Sequence, residues 1–292
     1  MIKRPVYKIS WGRYHLELGI RTCIMGILNI TPDSFSDGGH YFTVENALAH
    51  GEKLVSDGAD ILDIGGESTR PFSDMITAEE EIRRVGPVIE RLAPRIPIPI
   101  SIDTTKVAVA KRAIEAGAAI INDISSFRYE PRMADLAATH DVPLILMHML
   151  GTPKTMQVSP EYTDLINGIK HFLEKVVIDA SQRGVSKTKL IIDPGIGFGK
   201  TVAHNLLLIR RLHEFHSLGL PLLIGVSRKS FIQKILQDPY ESDRLPHLPD
   251  VEIGTQAAIG AAIGNGAHII RVHDVATTRK AVKMIDAILM AE

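Results

Sequence analysis

The sequence predicts an α/β fold: a (β/α)8 TIM barrel with a short N-terminal β-hairpin. Eight short apolar runs alternate with stretches of helical periodicity, which is the order of elements in parallel β/α proteins. Three helix-to-strand junctions, at 58–63, 117–122 and 266–271, repeat a Gly-Ala pattern at separations that fit whole βα units. The runs are apolar throughout, so each strand is expected to be buried on both faces, as in a closed parallel barrel. An open doubly wound sheet is the alternative interpretation.

A loosely alternating segment precedes the barrel. Residues 5–20 place apolar residues on either side of Gly12, which predicts a hairpin within an N-terminal extension that covers 1–21. We expect the whole chain, 1–292, to form a single domain, because this length is unusual for one domain except in α/β barrels.

The predicted strands share two properties. Each is too short for a helix, and each is followed by a polar loop or a turn signal. They cover residues 24–28, 61–64, 98–103, 120–122, 144–148, 190–193, 222–226 and 269–273.

The predicted helices are delimited by capping residues and glycines. Thr77 stands three residues before Glu80, which is the spacing of a capping box. Gly58 and Gly117 suit the left-handed position that closes a helix. A proline-rich insertion at 238–249 precedes the seventh helix. The helices are expected at 44–55, 77–93, 105–116, 131–140, 162–183, in the segment ending near 217, at 251–263 and at 275–290.

The composition excludes several classes of protein. The net charge of −1 leaves no basic field for nucleic acid or an anionic membrane. The single cysteine, Cys23, excludes an internal disulfide framework and a thiolate zinc cluster. We find no run of 18 apolar residues and no signal peptide, so a cytoplasmic protein without nucleic-acid or membrane partners is expected.

Polar side chains follow every predicted strand. The carboxyl ends of the strands of a (β/α)8 barrel share one mouth, where its chemistry takes place. Carboxylates and amides there suit a planar heterocycle rich in N–H donors, whereas arginine, histidine and a helix amino end suit an anion. A single aspartate in this place is often only a helix cap, but a complete set favours a binding site. The residues are Asn29, Asp63, Asp103, Asn122, His148, Asp193, Lys229, Arg271 and His273.

Three familiar motifs are incomplete. The glycines at 195–199 lack the third glycine of a dinucleotide-binding fingerprint, because Lys200 stands in its place. Pro194 stands where a P-loop needs its first glycine. The histidines show no paired spacing on a helix, so a zinc site is not expected.

Eight sequence blocks are the most specific feature of the chain. They are MGILNITPDSFSDGG at 25–39, DIGGESTRP at 63–71, SID at 101–103, INDIS at 121–125, MHM at 147–149, DPGIGFGK at 193–200, SRKS at 227–230 and RVHD at 271–274. In these blocks the chain resembles the bacterial dihydropteroate synthases, a family of pterin-binding TIM barrels, over about 22–290. The resemblance implies condensation of p-aminobenzoate with 6-hydroxymethyl-7,8-dihydropterin diphosphate in folate biosynthesis. The same resemblance implies that pyrophosphate is released with the help of Mg²⁺.

The resemblance also implies roles for individual residues. Asn29 is expected to ligate Mg²⁺ on the diphosphate. The residues expected to be catalytic are Asp103, Lys229, Arg271 and His273, which also bind substrate. The other substrate-binding residues are expected to be Thr69, Arg70, Asn122, Asp193, Phe35, Pro71, Met147, Phe198 and Ser230.

Within this set, Asp103, Asn122 and Asp193 are assigned to the pterin edge, and Lys229 to its carbonyl side. Arg271, His273 and Thr69 are assigned to the diphosphate. The residues that shape the p-aminobenzoate site are expected to be Phe35, Pro71, Phe198 and Ser230. A homodimer is expected by analogy with the family.

The chain departs from the family pattern at Leu150, at Ser126 and Phe127, and in the insertion at 238–249.

Three other functions are alternatives that fit the sequence less well. A methyltetrahydrofolate methyltransferase has no need for the loop at 31–37 or for the block at 227–230. A non-catalytic pterin-binding paralogue is expected to lose loop residues that are intact here. A lysine Schiff-base aldolase using Lys229 lacks a second strand-end lysine.

Overall fold

The computed structural model describes residues 3–31, 43–68, 73–238 and 246–291. An antiparallel hairpin begins this part of the chain, and strands β1 (Tyr7–Trp11) and β2 (Tyr14–Leu18) pair across a turn at Gly12. The indole nitrogen of Trp11 donates to the carbonyl oxygen of Ala119 over 2.8 Å, just before a barrel strand begins. The predicted hairpin is confirmed, and it packs on the amino-terminal end of the barrel.

Eight parallel strands form the barrel and confirm the predicted fold. They are β3 (Cys23–Asn29), β4 (Ile61–Gly65), β5 (Ile100–Asp103), β6 (Ile120–Asp123), β7 (Leu144–Met147), β8 (Leu190–Asp193), β9 (Leu223–Ile224) and β10 (Ile269–Val272). Strands β3 to β8 pair in chain order, and β10 pairs with both β9 and β3. A single bridge between Ile192 and Leu222 connects the β8 and β9 ends of this sheet.

The strand register places the polar ends on one rim. Asn29 pairs with Gly65, Gly65 with Asp103, and Asp103 with Asn122. The barrel strands are buried along almost their whole length, because side chains of one face fill the barrel and those of the other meet the helices.

The helices follow the strands in the predicted order. They are α1 (Val44–Ser56), α2 (Ala78–Leu92), α3 (Val107–Glu115), α4 (Arg132–His140), α5 (Leu165–Gln182), α6 (Val202–Arg210), α7 (Ser230–Leu236), α8 (Leu248–Gly264) and α9 (Val275–Met290). The Thr77 side chain accepts from the Glu80 amide over 3.2 Å, so the predicted cap of α2 is confirmed.

Several predicted boundaries are wrong. The sixth helix ends at Arg210 and continues as a 3₁₀ segment, Leu212–Leu218. Helix α7 lies in a segment that was not predicted to be helical. Helix α8 begins inside the predicted insertion, since a proline is tolerated in the first turn, where no amide hydrogen is needed.

Two other boundaries differ because of local contacts. Helix α5 begins at Leu165 because Asp164 caps it through the Asn167 amide. Strand β9 has only two residues, since the chain already turns at Val226, whose carbonyl accepts from the Lys229 amide. Residues 239–245 of the predicted insertion lie outside the described part of the chain. In the described part, no helix is both long and apolar enough to cross a membrane.

Candidate active site

A hydrogen-bonded network of four side chains lies at the carboxyl ends of β4, β5, β6 and β10. The Arg271 guanidinium donates to Asp63 Oδ2 over 2.6 Å and to Asp103 Oδ2 over 2.8 Å. Asn122 Nδ2 also donates to Asp63 Oδ2, over 3.2 Å. The other oxygen of Asp103, Oδ1, is buried and accepts no hydrogen bond from the described residues. A ligand with an N–H donor can therefore bind to Asp103 without displacing Arg271.

The charges of this network oppose one another. The pKa of Asp103 is raised to about 7, chiefly by burial. The positive charge of Arg271 acts to lower this pKa, and the negative charge of Asp63 acts to raise it. When Asp103 is ionised, two carboxylates beside one guanidinium give a buried cluster with an excess of negative charge, which favours a ligand that brings N–H donors or positive charge.

A tight loop after β8 orients Asp193. Its Oδ1 accepts from the Gly195 amide over 2.7 Å. Gly195 has a φ of +72°, and a Cβ there would lie 1.9 Å from the carbonyl oxygen of His148. Only glycine fits this close approach. Burial raises the pKa of Asp193, and the charge of Lys229 lowers it.

Lys229 reaches the same mouth from the turn after β9, which lies between β8 and β10. Its ammonium lies 4.4 Å from the centre of the Phe198 ring and donates to the carbonyl oxygen of Ile196. Burial lowers the pKa of Lys229 to about 8, although the carboxylate of Asp193 raises it. The charges of Lys229 and Asp193 therefore stabilise one another within the site.

His273 completes the set at the end of β10. Its Nδ1 lies 2.9 Å from the hydroxyl oxygen of Ser227, and its amide donates to the same oxygen over 3.3 Å. The ring is held beside the strand-end network, on the same strand as Arg271.

Asn29 stands at the end of β3, next to Gly65 in the strand register. A Cβ on Gly65 would lie 3.8 Å from Asn29 Oδ1, so the glycine leaves space around the amide oxygen. In the described residues no cluster of three or more histidine, cysteine, aspartate or glutamate side chains could hold a metal ion. One amide oxygen fits Mg²⁺ that arrives with a phosphate, because Mg²⁺ keeps waters and takes few protein ligands in such sites.

An apolar wall lies beside Lys229. The buried side chains of Ile124, Met147, Met149 and Met156 pack together, and Phe198 packs against them. Ser230 is exposed at the first residue of α7. Met147, Phe198 and Ser230 are thus at the carboxyl end of the barrel, where the sequence places them.

Four predicted site residues, Phe35, Thr69, Arg70 and Pro71, lie outside the described residues. The base of the second loop is described. Glu67 accepts from the Ile76 amide over 2.7 Å and pairs with Lys106 over 3.0 Å. Lys106 in turn pairs with the fully buried Glu81 over 2.6 Å. A buried ion-pair cluster therefore anchors the segment that leads to Thr69.

Two findings go beyond the predicted site residues. Asp63 was expected only as a strand-end polar group, yet it holds Arg271 and Asn122 together. The sequence signal for Asp63 was its position at the end of a predicted strand.

His148 directly follows β7 but turns away from the site. Its ring packs edge-on against Phe172, and Nδ1 lies 3.1 Å from the Lys200 ammonium. Burial and the charge of Lys200 lower the pKa of His148 to about 2, so it stays neutral.

The fold and the strand-end carboxylates together define a barrel enzyme that binds a nitrogen heterocycle. The model of the family described as pterin binding enzyme matches residues 25–273, and the chain belongs to this family. The dihydropteroate synthase of a Synechocystis strain is 46% identical over 277 residues, which is 95% of this chain and 93% of the relative.

Solved structures give the same result. A sulfonamide complex of Yersinia pestis dihydropteroate synthase superposes with a TM-score of 0.89 and 43% identity, covering 98% of this chain and 100% of that one. The Xanthomonas albilineans dihydropteroate synthase in complex with 7,8-dihydropteroate has a TM-score of 0.82 and 41% identity, over 94% and 97% of the two chains. The function of this chain is accordingly that of a dihydropteroate synthase, a transferase of folate biosynthesis.

Proposed function

We propose that the strand-end side chains divide the condensation of p-aminobenzoate with 6-hydroxymethyl-7,8-dihydropterin diphosphate among them as follows. Asp193, Asp103 and Asn122 bind the pterin edge, and Lys229 binds its carbonyl side. The observation that carries this proposal is the bonding of Asp103: Arg271 occupies one oxygen, while the buried second oxygen accepts nothing from the described residues. An N–H donor of the pterin satisfies that oxygen.

Arg271 and His273 act on the diphosphate end. The guanidinium is fixed by Asp63 and Asp103, and the His273 ring is fixed by Ser227, so both are oriented before substrate binds. Donors held in place stabilise charge that develops on a leaving group. Asp103, on the pterin side, stabilises the positive charge that develops on the ring as the bond to the diphosphate breaks.

We propose that Asn29 contributes an amide oxygen to a Mg²⁺ ion carried by the diphosphate. When bound, the ion neutralises charge on the leaving pyrophosphate. For the second substrate, Phe198 and Ser230 lie beside Lys229, and Phe35 and Pro71 are proposed to complete the p-aminobenzoate site. Thr69 is proposed to contact the diphosphate, and Arg70 to bind substrate. A cytoplasmic location stays a prediction.

The decisive test is a reaction with purified protein, both substrates and Mg²⁺, in which pyrophosphate and dihydropteroate are measured. Equal amounts of the two products support the proposal. A protein that binds a pterin but forms neither product would instead be a binding paralogue. Omission of Mg²⁺ should abolish turnover while binding of a pterin without phosphate persists.

The pH dependence of pterin binding is expected to be bell-shaped. Affinity should rise through about pH 7, the raised pKa of Asp103, because the ionised carboxylate accepts N–H bonds from the pterin more strongly than the protonated acid does. It should fall through about pH 8, where Lys229 loses its charge. Calorimetric titration with a pterin analogue that does not titrate in this range measures both limbs. Lys229→Arg should lose the falling limb, because a guanidinium stays charged; an unchanged limb contradicts the role of Lys229.

We also propose that the chain forms a homodimer through the α6–α7–α8 face. An apolar groove of about 490 Å³ between these helices is lined by side chains including Leu206, Phe231, Ile235 and Ala258. Ile253 on α8 is 70% exposed, and Ile235 is 51% exposed. In a two-fold dimer each copy presents the same apolar face to the other, so the groove and the exposed isoleucines of both copies are covered together.

Ile253→Asp is expected to convert the dimer into a monomer, because it places a charge on an exposed apolar position of this face. Sedimentation velocity measures the change in mass. Ile178→Asp is the matched control, since Ile178 on α5 is also exposed, to 50%, but lies on another face. A wild-type monomer, or dissociation by the control alone, excludes this interface.

A further inference from the structure

The turn that presents Lys229 to the site has an unfavourable backbone conformation. Arg228, directly before Lys229, has a φ of +58°. This left-handed region is uncommon for any residue other than glycine, because Cβ approaches the following carbonyl. Such a residue persists only where surrounding contacts hold it, and such positions concentrate at functional sites.

Two side chains of α8 hold Arg228. The hydroxyl oxygen of Thr255 accepts from the Arg228 amide over 3.2 Å, and Glu252 Oε1 accepts from Arg228 Nη2 over 3.2 Å. Thr255 is 1% exposed, so the Arg228 amide bonds to a buried hydroxyl instead of water. The backbone and the side chain of the same residue are therefore both bound to one helix.

The residues on either side of Arg228 belong to the site. The Ser227 hydroxyl lies 2.9 Å from Nδ1 of His273. The Lys229 amide donates to the Val226 carbonyl, and its ammonium lies over Phe198. A rotation of the chain at Arg228 out of the left-handed region would move Ser227 and Lys229 in different directions, because the two flank the rotated bonds.

We propose that Thr255 and Glu252 are positioning residues of the reaction: they keep Arg228 left-handed and thereby direct Lys229 to the pterin and Ser227 to His273. The inference rests on the role proposed above for Lys229. Neither residue touches substrate, and their effect passes through the backbone of the Ser227–Lys229 turn.

A double-mutant cycle distinguishes this positioning role from a simple structural role. Thr255→Val removes the acceptor with little change of shape and should weaken binding of a pterin analogue about tenfold. In an Arg228→Gly background the same substitution should weaken it less than about twofold, because glycine adopts a positive φ without support. Isothermal titration calorimetry of the four proteins measures the coupling, and Glu252→Gln should act in the same direction as Thr255→Val.

Thr278→Val is the matched control. Thr278 is also fully buried, and its hydroxyl oxygen accepts from Gln256 Nε2 on the other side of α8 over 3.1 Å, so its loss removes a similar bond without touching Arg228. This variant should lower the melting temperature as Thr255→Val does but leave pterin affinity unchanged. Thr255→Ser, which keeps a hydroxyl, should retain most of the affinity.

Equal losses of affinity from Thr255→Val with Arg or Gly at position 228, or no loss beyond that of the Thr278 control, would overturn the inference. Lys229→Ala is measured in parallel. If that variant binds the pterin normally, the role proposed for Lys229 is wrong. If Lys229→Ala binds weakly but Thr255→Val binds normally, only the positioning role fails.

Discussion

Replacement of Asp63 by leucine is expected to lower the free energy of unfolding by about 3–5 kcal/mol, the usual cost of removing one partner from a buried ion pair. Asp63 is fully buried and accepts from both Arg271 and Asn122. Leucine accepts nothing, so Arg271 Nε and Asn122 Nδ2 both lose the acceptor that Asp63 provides. Urea or guanidinium unfolding measures the change.

The same variant is expected to bind a pterin analogue weakly, because Arg271 then pairs with Asp103 alone and is free to move onto the oxygen that the ligand needs. Asp135→Leu is the matched control. Asp135 also pairs with an arginine, Arg183, over 3.1 Å, but both side chains are exposed. An exposed pair of this kind contributes at most about 1 kcal/mol. Similar destabilisation by the two variants would show that the Asp63 network is not energetically important.

Asp193→Asn is expected to weaken the binding of a pterin analogue by about 2–4 kcal/mol, or about 30- to 1,000-fold. The Gly195 amide donates to Asp193 Oδ1 and selects the orientation of the new amide, whose oxygen must face that donor. The asparagine NH₂ group is then directed at the ligand. A donor of the protein meets a donor of the pterin, so a charged hydrogen bond is lost and an N–H group is buried without an acceptor.

Calorimetry of pterin binding measures this effect, and thermal unfolding reports whether the barrel remains intact. Asp164→Asn, at the cap of α5, is a control with the same chemical change at a residue that is not part of the strand-end network, and asparagine caps a helix about as well as aspartate. Wild-type affinity in Asp193→Asn would mean that Asp193 serves only to close its own loop through Gly195.

The order of the strands and their polar ends could be predicted from the sequence because both depend on local pattern. The run at 190–193 is apolar up to its last residue and too short for a helix, which is typical of a buried strand. If the strands are parallel, the aspartate at its end lies at the carboxyl rim of the barrel. Asp103, Asn122, Asp193, Lys229 and Arg271 therefore meet at one mouth as predicted. The single-domain organisation and the dimer stay predictions.

Element boundaries were less predictable where tertiary contacts compete with local propensity. Helix α7 and the 3₁₀ segment at Leu212–Leu218 have only 7 residues each, which is shorter than the windows of roughly 11–18 residues over which a helical period is recognised. Ser126 and Phe127 both have left-handed φ values of +50°, a conformation that is uncommon for residues other than glycine. Here Asp123 holds them, since its carboxylate accepts from the amides of Ser125 and Phe127.

The residues that end the strands, and hence the chemical groups that line the mouth, follow from local sequence, because capping residues and the length of an apolar run are properties of neighbouring residues. The bonds between these groups depend on contacts between distant parts of the chain. Arg271 and Asp63 are 208 positions apart and become partners through the closure of the barrel. Likewise, only the packing of α8 against the Ser227–Lys229 turn, and of Phe172 against His148, decided which strand-end side chains face the site and which turn away.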